Sequence, residues 1–130
     1  MPIFALKKIE AIVGKQKFFE IIIDSESQYK SFCDAIKNNS QYVSELRTIL
    51  TNMDLVANLQ SLPKTKFKDI TPAKENVKEY EFKSKNLRVY AFHIKQTGKI
   101  VAYWGFKNSQ KRDIVKFRSI KKQYLQSIEK

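Results

Sequence analysis

Arg88 opens a segment, Leu87–Lys95, in which apolar and polar residues alternate as they do along a strand. Arg88, Tyr90, Phe92 and Ile94 fall on one side; Leu87, Val89, Ala91, His93 and Lys95 fall on the other. The chain uses lysine 21 times and arginine only four times, so an arginine at a strand start suggests a need for its planar fork. That fork matches two phosphate oxygens, whereas lysine offers a point charge. An arginine at the sheet rim, paired with an acid such as Glu81, is the equally weighted structural reading. The next strand runs into Gly105-Phe106-Lys107, and Lys111 and Arg112 follow at the start of a helical pattern. Arg88, Lys107, Lys111 and the free amides of a helix start can surround one phosphate. Such a cluster supplies what RNA cleavage by the substrate's own 2′-OH requires: stabilisation of extra negative charge on the phosphorane. The nucleophile belongs to the substrate, so this route calls for no metal and no cofactor. The plainer reading is a solvated basic loop.

Other reactive side chains carry less. His93 is the one histidine and, by alternation, faces away from Arg88. Cys33 lies on an apolar helical stripe and reads as packing. One cysteine and one histidine cannot build a zinc site. Tyr103 and Trp104 can stack on bases, yet aromatics in a central strand usually belong to a core. There is no nucleophile elbow, P-loop or dinucleotide fingerprint.

The elements that must hold these residues can be placed from periodicity. Ile3–Val13 and Phe18–Ile23 are expected to pair as two strands within residues 1–24, turning at Gly14-Lys15-Gln16. Ser25 and Gln28 match a capping box. Tyr29, Phe32, Cys33 and Ile36 then give an amphipathic helix ending near Asn38-Asn39. Ser40 can cap a second helix with Val43, Leu46, Leu50, Met53 and Ala57 on one face, stopping before Pro63. The short link predicts an antiparallel helical hairpin. Residues 63–79 look irregular. Val77–Phe82, Leu87–Lys95 and Lys99–Phe106 predict an antiparallel meander with short turns. A last helix, capped by Asn108 or Ser109, buries Ile114, Phe117, Ile120, Tyr124, Leu125 and Ile128 and is covered elsewhere by Lys and Arg. The expected fold class is α+β: a small twisted antiparallel sheet, a helical hairpin before the C-terminal meander, and a terminal basic helix.

Composition agrees with a folded chain. The 130 residues suit one domain, 1–130, and nine Phe, six Tyr and one Trp exclude a disordered tail. No apolar run approaches the ~20 residues of a membrane span, and the start of the chain breaks into Lys-Lys-Ile-Glu too early for a secretory signal. A cytoplasmic protein is expected. The net charge is +12, and its placement is uneven. Residues 1–82 hold 12 Lys/Arg against 11 Asp/Glu, whereas residues 83–130 hold 13 against two. A field of one sign on one segment attracts a polyanion, so nucleic acid or the ribosome is the expected partner.

The run from Glu81 to Leu125 also carries a resemblance. Asn86-Leu87-Arg88-Val89-Tyr90-Ala91-Phe92, Gly98-Lys99-Ile100-Val101, Gly105-Phe106-Lys107-Asn108-Ser109-Gln110-Lys111 and Lys121-Lys122-Gln123-Tyr124-Leu125 resemble the RelE/HigB-like toxins of bacterial type II toxin–antitoxin systems, in the phage-derived HigB-type branch. The resemblance covers about a third of the chain. It implies a RelE-like α+β fold and metal-independent mRNA cleavage, often on the ribosome. It also implies neutralisation by a helix-turn-helix antitoxin. Arg88 matches the strand arginine, and Lys107 and Lys111 match the basic turn after the last strand; these three are the implied catalytic group. Lys83, Lys85, Arg112 and Arg118 are expected to bind RNA. Members of the family often carry a late Tyr or His for proton transfer, but Tyr124 falls on the apolar stripe and reads as core. The alternative is a non-enzymatic basic binder of the same fold, either a gyrase inhibitor like the ParE branch or a nucleic-acid-binding mobile-element protein.

Overall fold

The computed structural model describes residues 2–129. Its elements run β1 (Phe4–Lys8), β2 (Phe18–Ile23), β3 (Glu26–Ser27), α1 (Gln28–Ile36), α2 (Ser40–Ala57), β4 (Phe67–Asp69), β5 (Glu79–Lys83), β6 (Leu87–Ile94), β7 (Gly98–Phe106) and α3 (Gln110–Ile128). A single 3₁₀ turn, Lys107–Ser109, joins β7 to α3. The sheet order is β1-β2-β7-β6-β5-β4, with β3 paired to β2.

The α+β class and the meander are as expected, and so is the antiparallel pairing of β1 with β2. The all-antiparallel sheet is not: β2 runs parallel to β7, in the register Phe18↔Lys99, so the seven-stranded sheet is mixed. The reason is non-local. The helical hairpin carries the chain from β2 across one face to the far side of the sheet, and the meander brings it back beside β2. Hairpin signals specify neighbouring strands only, so this closing contact has no local signature.

Three local details also differ. The cap of α1 is Ser27 rather than Ser25; its side chain accepts from the Lys30 amide at 3.0 Å. Ser25 instead sits at φ 71°, in the bend between β2 and β3. Asn39 caps α2, accepting from the Tyr42 amide at 3.0 Å. The segment 63–79 contributes β4, which extends the sheet beyond β5.

Two cores form, one on each face. Phe32, Ile36, Leu46, Ile49, Met53 and Val56 of the helical hairpin pack on Phe18, Phe82, Val89, Ala91, Val101 and Trp104. On the other face, Phe117 and Tyr124 of α3 pack on Ile21, Tyr90, Phe92, Ile100 and Ala102. The strict alternation of β6 divides its side chains between these cores. A bulge follows Tyr90, because Tyr90 faces Tyr103 while Ala91 faces Val101. Ala102 is left without a partner across the strand and joins the α3 core. Ile128, expected in the stripe of α3, is exposed.

Candidate nucleic-acid interface

One end of the sheet collects most of the expected site residues. Arg88 lies directly across from Lys83 on β5 and Gly105 on β7. Lys85 occupies the β5–β6 turn, and the Lys107 amide donates to the Asn86 carbonyl at 2.8 Å, which fixes the 3₁₀ turn against that hairpin. Lys111 and Arg112 follow on the first turn of α3. Residues 107–112 line a pocket of about 460 Å³. The cations come from three separate stretches of chain, and the strand register brings them together.

Arg88 is the unusual member. Only 8% of its surface is exposed. Its Nη1 donates to the carbonyls of Ser84 at 2.6 Å and Leu87 at 2.8 Å, while Nε is buried with no partner. No carboxylate comes within ion-pair distance among the described residues, so the expected rim pairing with Glu81 does not form. A buried guanidinium held only by backbone carbonyls retains unpaired positive charge in a site of reduced dielectric.

The nearby carboxylates have partners of their own, although among the described residues Asp113 Oδ1 accepts no hydrogen bond. Glu81 accepts from Gln110 Nε2 at 2.6 Å and lies 3.8 Å from Lys83 Nζ. Asp113 Oδ2 accepts from Ser109 Oγ at 2.6 Å, and its Oδ1 is 3.6 Å from Arg112 Nε. Glu45 of α2 accepts from Ser84 Oγ, the Asn86 amide and Asn86 Nδ2. Burial would raise its carboxyl pKa, but these bonds, with one from Gln41, outweigh that and hold it at about 2. All three acids are buried. The exposed charges of this end, Lys85, Lys107, Lys111 and Arg112, are therefore all positive.

The other residues of interest lie elsewhere. Arg118 sits further along α3, its Nε 2.9 Å from Glu79 and its Nη2 donating to the Ile70 carbonyl at 3.0 Å. His93 stands five residues along β6 from Arg88, about 17 Å at ~3.4 Å per residue, and on the opposite face. Burial, then the charge of Lys99, push its imidazole below the ordinary value. Tyr124 is packed between Phe4 and Phe92, and burial pushes its hydroxyl up. Burial likewise raises the Cys33 thiol. Trp104 stacks on Tyr29 with centroids 4.6 Å apart, as a core residue.

Sequence reasoning missed three residues that shape this end. Glu45 gives no motif, being one acid on an amphipathic helix. Gly105 lacks a turn signal; it leaves room for the Asp113 carboxylate, which an added Cβ would strike. Asp113 was visible as a first-turn acid, but its packing on Gly105 was not. Among the described residues, no group of three or more His, Cys, Asp or Glu side chains is placed to hold a metal ion, and no helix is long and apolar enough to cross a membrane. In comparison with known proteins, no family model, curated protein or solved structure matches this chain.

Proposed function

We propose that this protein is a toxin-type mRNA endoribonuclease of the RelE/HigB-like kind. It acts on ribosome-bound mRNA without a metal and is neutralised by a helix-turn-helix antitoxin. One observation carries this reading: Arg88, nine-tenths buried and with no carboxylate partner, at an end of the sheet whose exposed charges are all positive. In this reading the substrate phosphate takes the side of the guanidinium that the carbonyls of Ser84 and Leu87 leave free, and Lys107 and Lys111, on the turn that follows β7, approach it from the neighbouring strand end. In this mechanism the substrate 2′-OH gives its proton to water and attacks the adjacent phosphorus, the three cations stabilise the dianionic phosphorane, and the P–O5′ bond then breaks to leave a 2′,3′-cyclic phosphate and a 5′-oxygen that takes a proton from water. Lys83, Lys85 and Arg112 hold the flanking phosphates. The order of strand, helical hairpin, meander and basic helix also supports the resemblance.

A second reading is favoured by a different observation. His93 and Tyr124, two side-chain types suited to proton transfer, both stand away from Arg88. That suits a binder using the same surface without cleavage.

The deciding experiment incubates the purified protein with translating ribosomes and maps mRNA ends by primer extension. Arg88→Ala is run alongside, its fold checked by circular dichroism. New ends within codons, reduced ~10²–10³-fold in the variant, establish the nuclease and its site. Absence of new ends, with salt-dependent RNA binding retained, establishes the binder.

A further inference from the structure

The opposite end of the sheet holds a second cationic cluster that the proposed nuclease does not use. Lys99 of β7 is 5% exposed, and lysine is rarely buried without an acid beside it. Its Nζ donates to Gln16 Oε1 at 3.0 Å and lies 5.0 Å from the Tyr80 ring centroid and 5.8 Å from that of Phe18. The rings offset part of the burial cost. No carboxylate lies within 4 Å among the described residues. Directly across the strand pair is His93, whose Nδ1 is buried with no hydrogen-bond partner.

A pocket of about 300 Å³ opens between the β6–β7 turn and the segment leading into β2; His93 lines it, and Lys99 is joined to its wall through Gln16. Lys15, Lys17 and Lys95 line it together with Gln16 and His93, and no acidic residue contributes. The glycine of the turn is part of the construction. Gly98 has φ +126° and its Cα lies so close to the Lys17 carbonyl that a Cβ would clash, which draws the two lysine-bearing segments together.

We propose that this pocket is a binding site for a phosphate-class oxyanion. Three lysine ammonium groups, two from the segment before β2 and one from the β6–β7 turn, act as point charges around a tetrahedral anion, an arrangement suited to phosphate rather than to a planar carboxylate gripped by an arginine fork. Lys99, through its field and its link to Gln16, supplies the fixed charge behind the pocket. Burial depresses the ammonium form of Lys99, and burial together with Lys99 depresses that of His93. An anion in front relieves both costs. The site lies about 17 Å along β6 from Arg88, at ~3.4 Å per residue, so it stands or falls independently of the nuclease reading.

His93 is the one histidine, so its imidazole proton signals are unambiguous, and the Lys15 and Lys17 changes in the variant below separate this pocket from the one His93 also lines with Val77 and Lys78. The experiment titrates the protein with sodium phosphate at constant ionic strength and follows those signals by NMR. A saturable shift is expected with phosphate, absent with sodium chloride. It should weaken at least tenfold in a Lys15→Ala, Lys17→Ala, Lys95→Ala triple variant, whose changes are all at exposed positions, and persist in Arg88→Ala. No saturable shift, an equal shift with chloride, or unchanged affinity in the triple variant overturns the proposal. Two further arms identify the source of the phosphate. A shift with a short oligoribonucleotide lacking terminal phosphates points to the backbone, and a shift only with its 5′-phosphorylated form points to a terminal or free phosphate.

Discussion

Glu45 grips Asn86 through both carboxylate oxygens: the Asn86 amide donates to Oε1 at 2.7 Å and its Nδ2 to Oε2 at 2.7 Å. This ties α2 to the turn that presents Lys85 and precedes Arg88. The carboxyl titrates at about 2, below its ordinary 4.5, because donors from Ser84, Asn86 and Gln41 outweigh the burial that would raise it. A lowered folded-state value means the stabilisation is full above the unfolded value and lost as pH falls through about 2. Glu45→Gln should cost about 1–3 kcal/mol at neutral pH. The gap between wild type and variant in urea denaturation should shrink steadily from pH 4.5 toward 2. A gap independent of pH would show that the carboxylate is not the stabilising form.

Gly105 should not tolerate a methyl group. Asp113 Oδ2 occupies the space where a Cβ at this position would project. Gly105 also faces Arg88 across the strand pair. Gly105→Ala must displace Asp113, and with it the Ser109 bond that helps shape the entry to α3. Overpacking of this kind costs about 1–3 kcal/mol. Adding Asp113→Ala should recover part of that loss, since the smaller side chain clears the clash. Thermal melts of the two single variants and the double variant test the coupling, and strictly additive shifts would count against direct contact.

The local elements were legible because they rest on local patterns. The period-two run at Leu87–Lys95 named β6 and both of its faces correctly, because burial on each side imposes the alternation. The helical stripe through Phe32 and Ile36 named α1 for the same reason. The cap was misplaced from Ser25 to Ser27 because two serines compete there, and the bend at Asp24 and Ser25, both with positive φ, decides between them. The β2–β7 pairing and the Glu45 latch join residues far apart in sequence, so they were not legible. In the candidate site, the grouping of Arg88, Lys107 and Lys111 follows from strand order. The missing carboxylate beside Arg88 depends on where Glu81 and Asp113 turn, which is a matter of packing.

Glu79 anchors the middle of α3. It accepts from Arg118 Nε at 2.9 Å and Lys121 Nζ at 2.7 Å, and Lys121 also donates to the Val77 carbonyl at 2.8 Å. Glu79 and Lys121 are both buried. Removing Glu79 leaves the buried Lys121 with only the part-exposed Glu75, 3.8 Å from its Nζ, so Glu79→Ala should cost about 3 kcal/mol, the low end for a broken buried pair. Replacing both, as Glu79→Leu with Lys121→Met, should cost clearly less than the sum of the single changes. Arg118→Ala should lower stability with little effect on RNA affinity, because its Nε and Nη2 are held by Glu79 and the Ile70 carbonyl and its charge is paired. A large loss of RNA affinity in a folded Arg118→Ala protein would return Arg118 to the binding surface.

The exposed lysines and Arg88 should separate in their response to salt. Lys85, Lys107 and Lys111 are exposed and make no ion pair among the described residues, so each acts on RNA as a mobile point charge. Neutralising one should reduce the slope of log K against log salt by about 0.7 for single-stranded RNA, while affinity falls evenly across sequences. Arg88 is buried and fixed by two backbone carbonyls, so its contribution depends on geometry as well as charge. Arg88→Lys keeps the charge but loses the fork, and it should therefore retain most of the salt slope while failing to restore cleavage. Fluorescence titrations with a short oligoribonucleotide at several salt concentrations, beside the primer-extension assay, separate the two effects. If Arg88→Lys restores cleavage fully, charge alone suffices at that position and the planar fork has no special role.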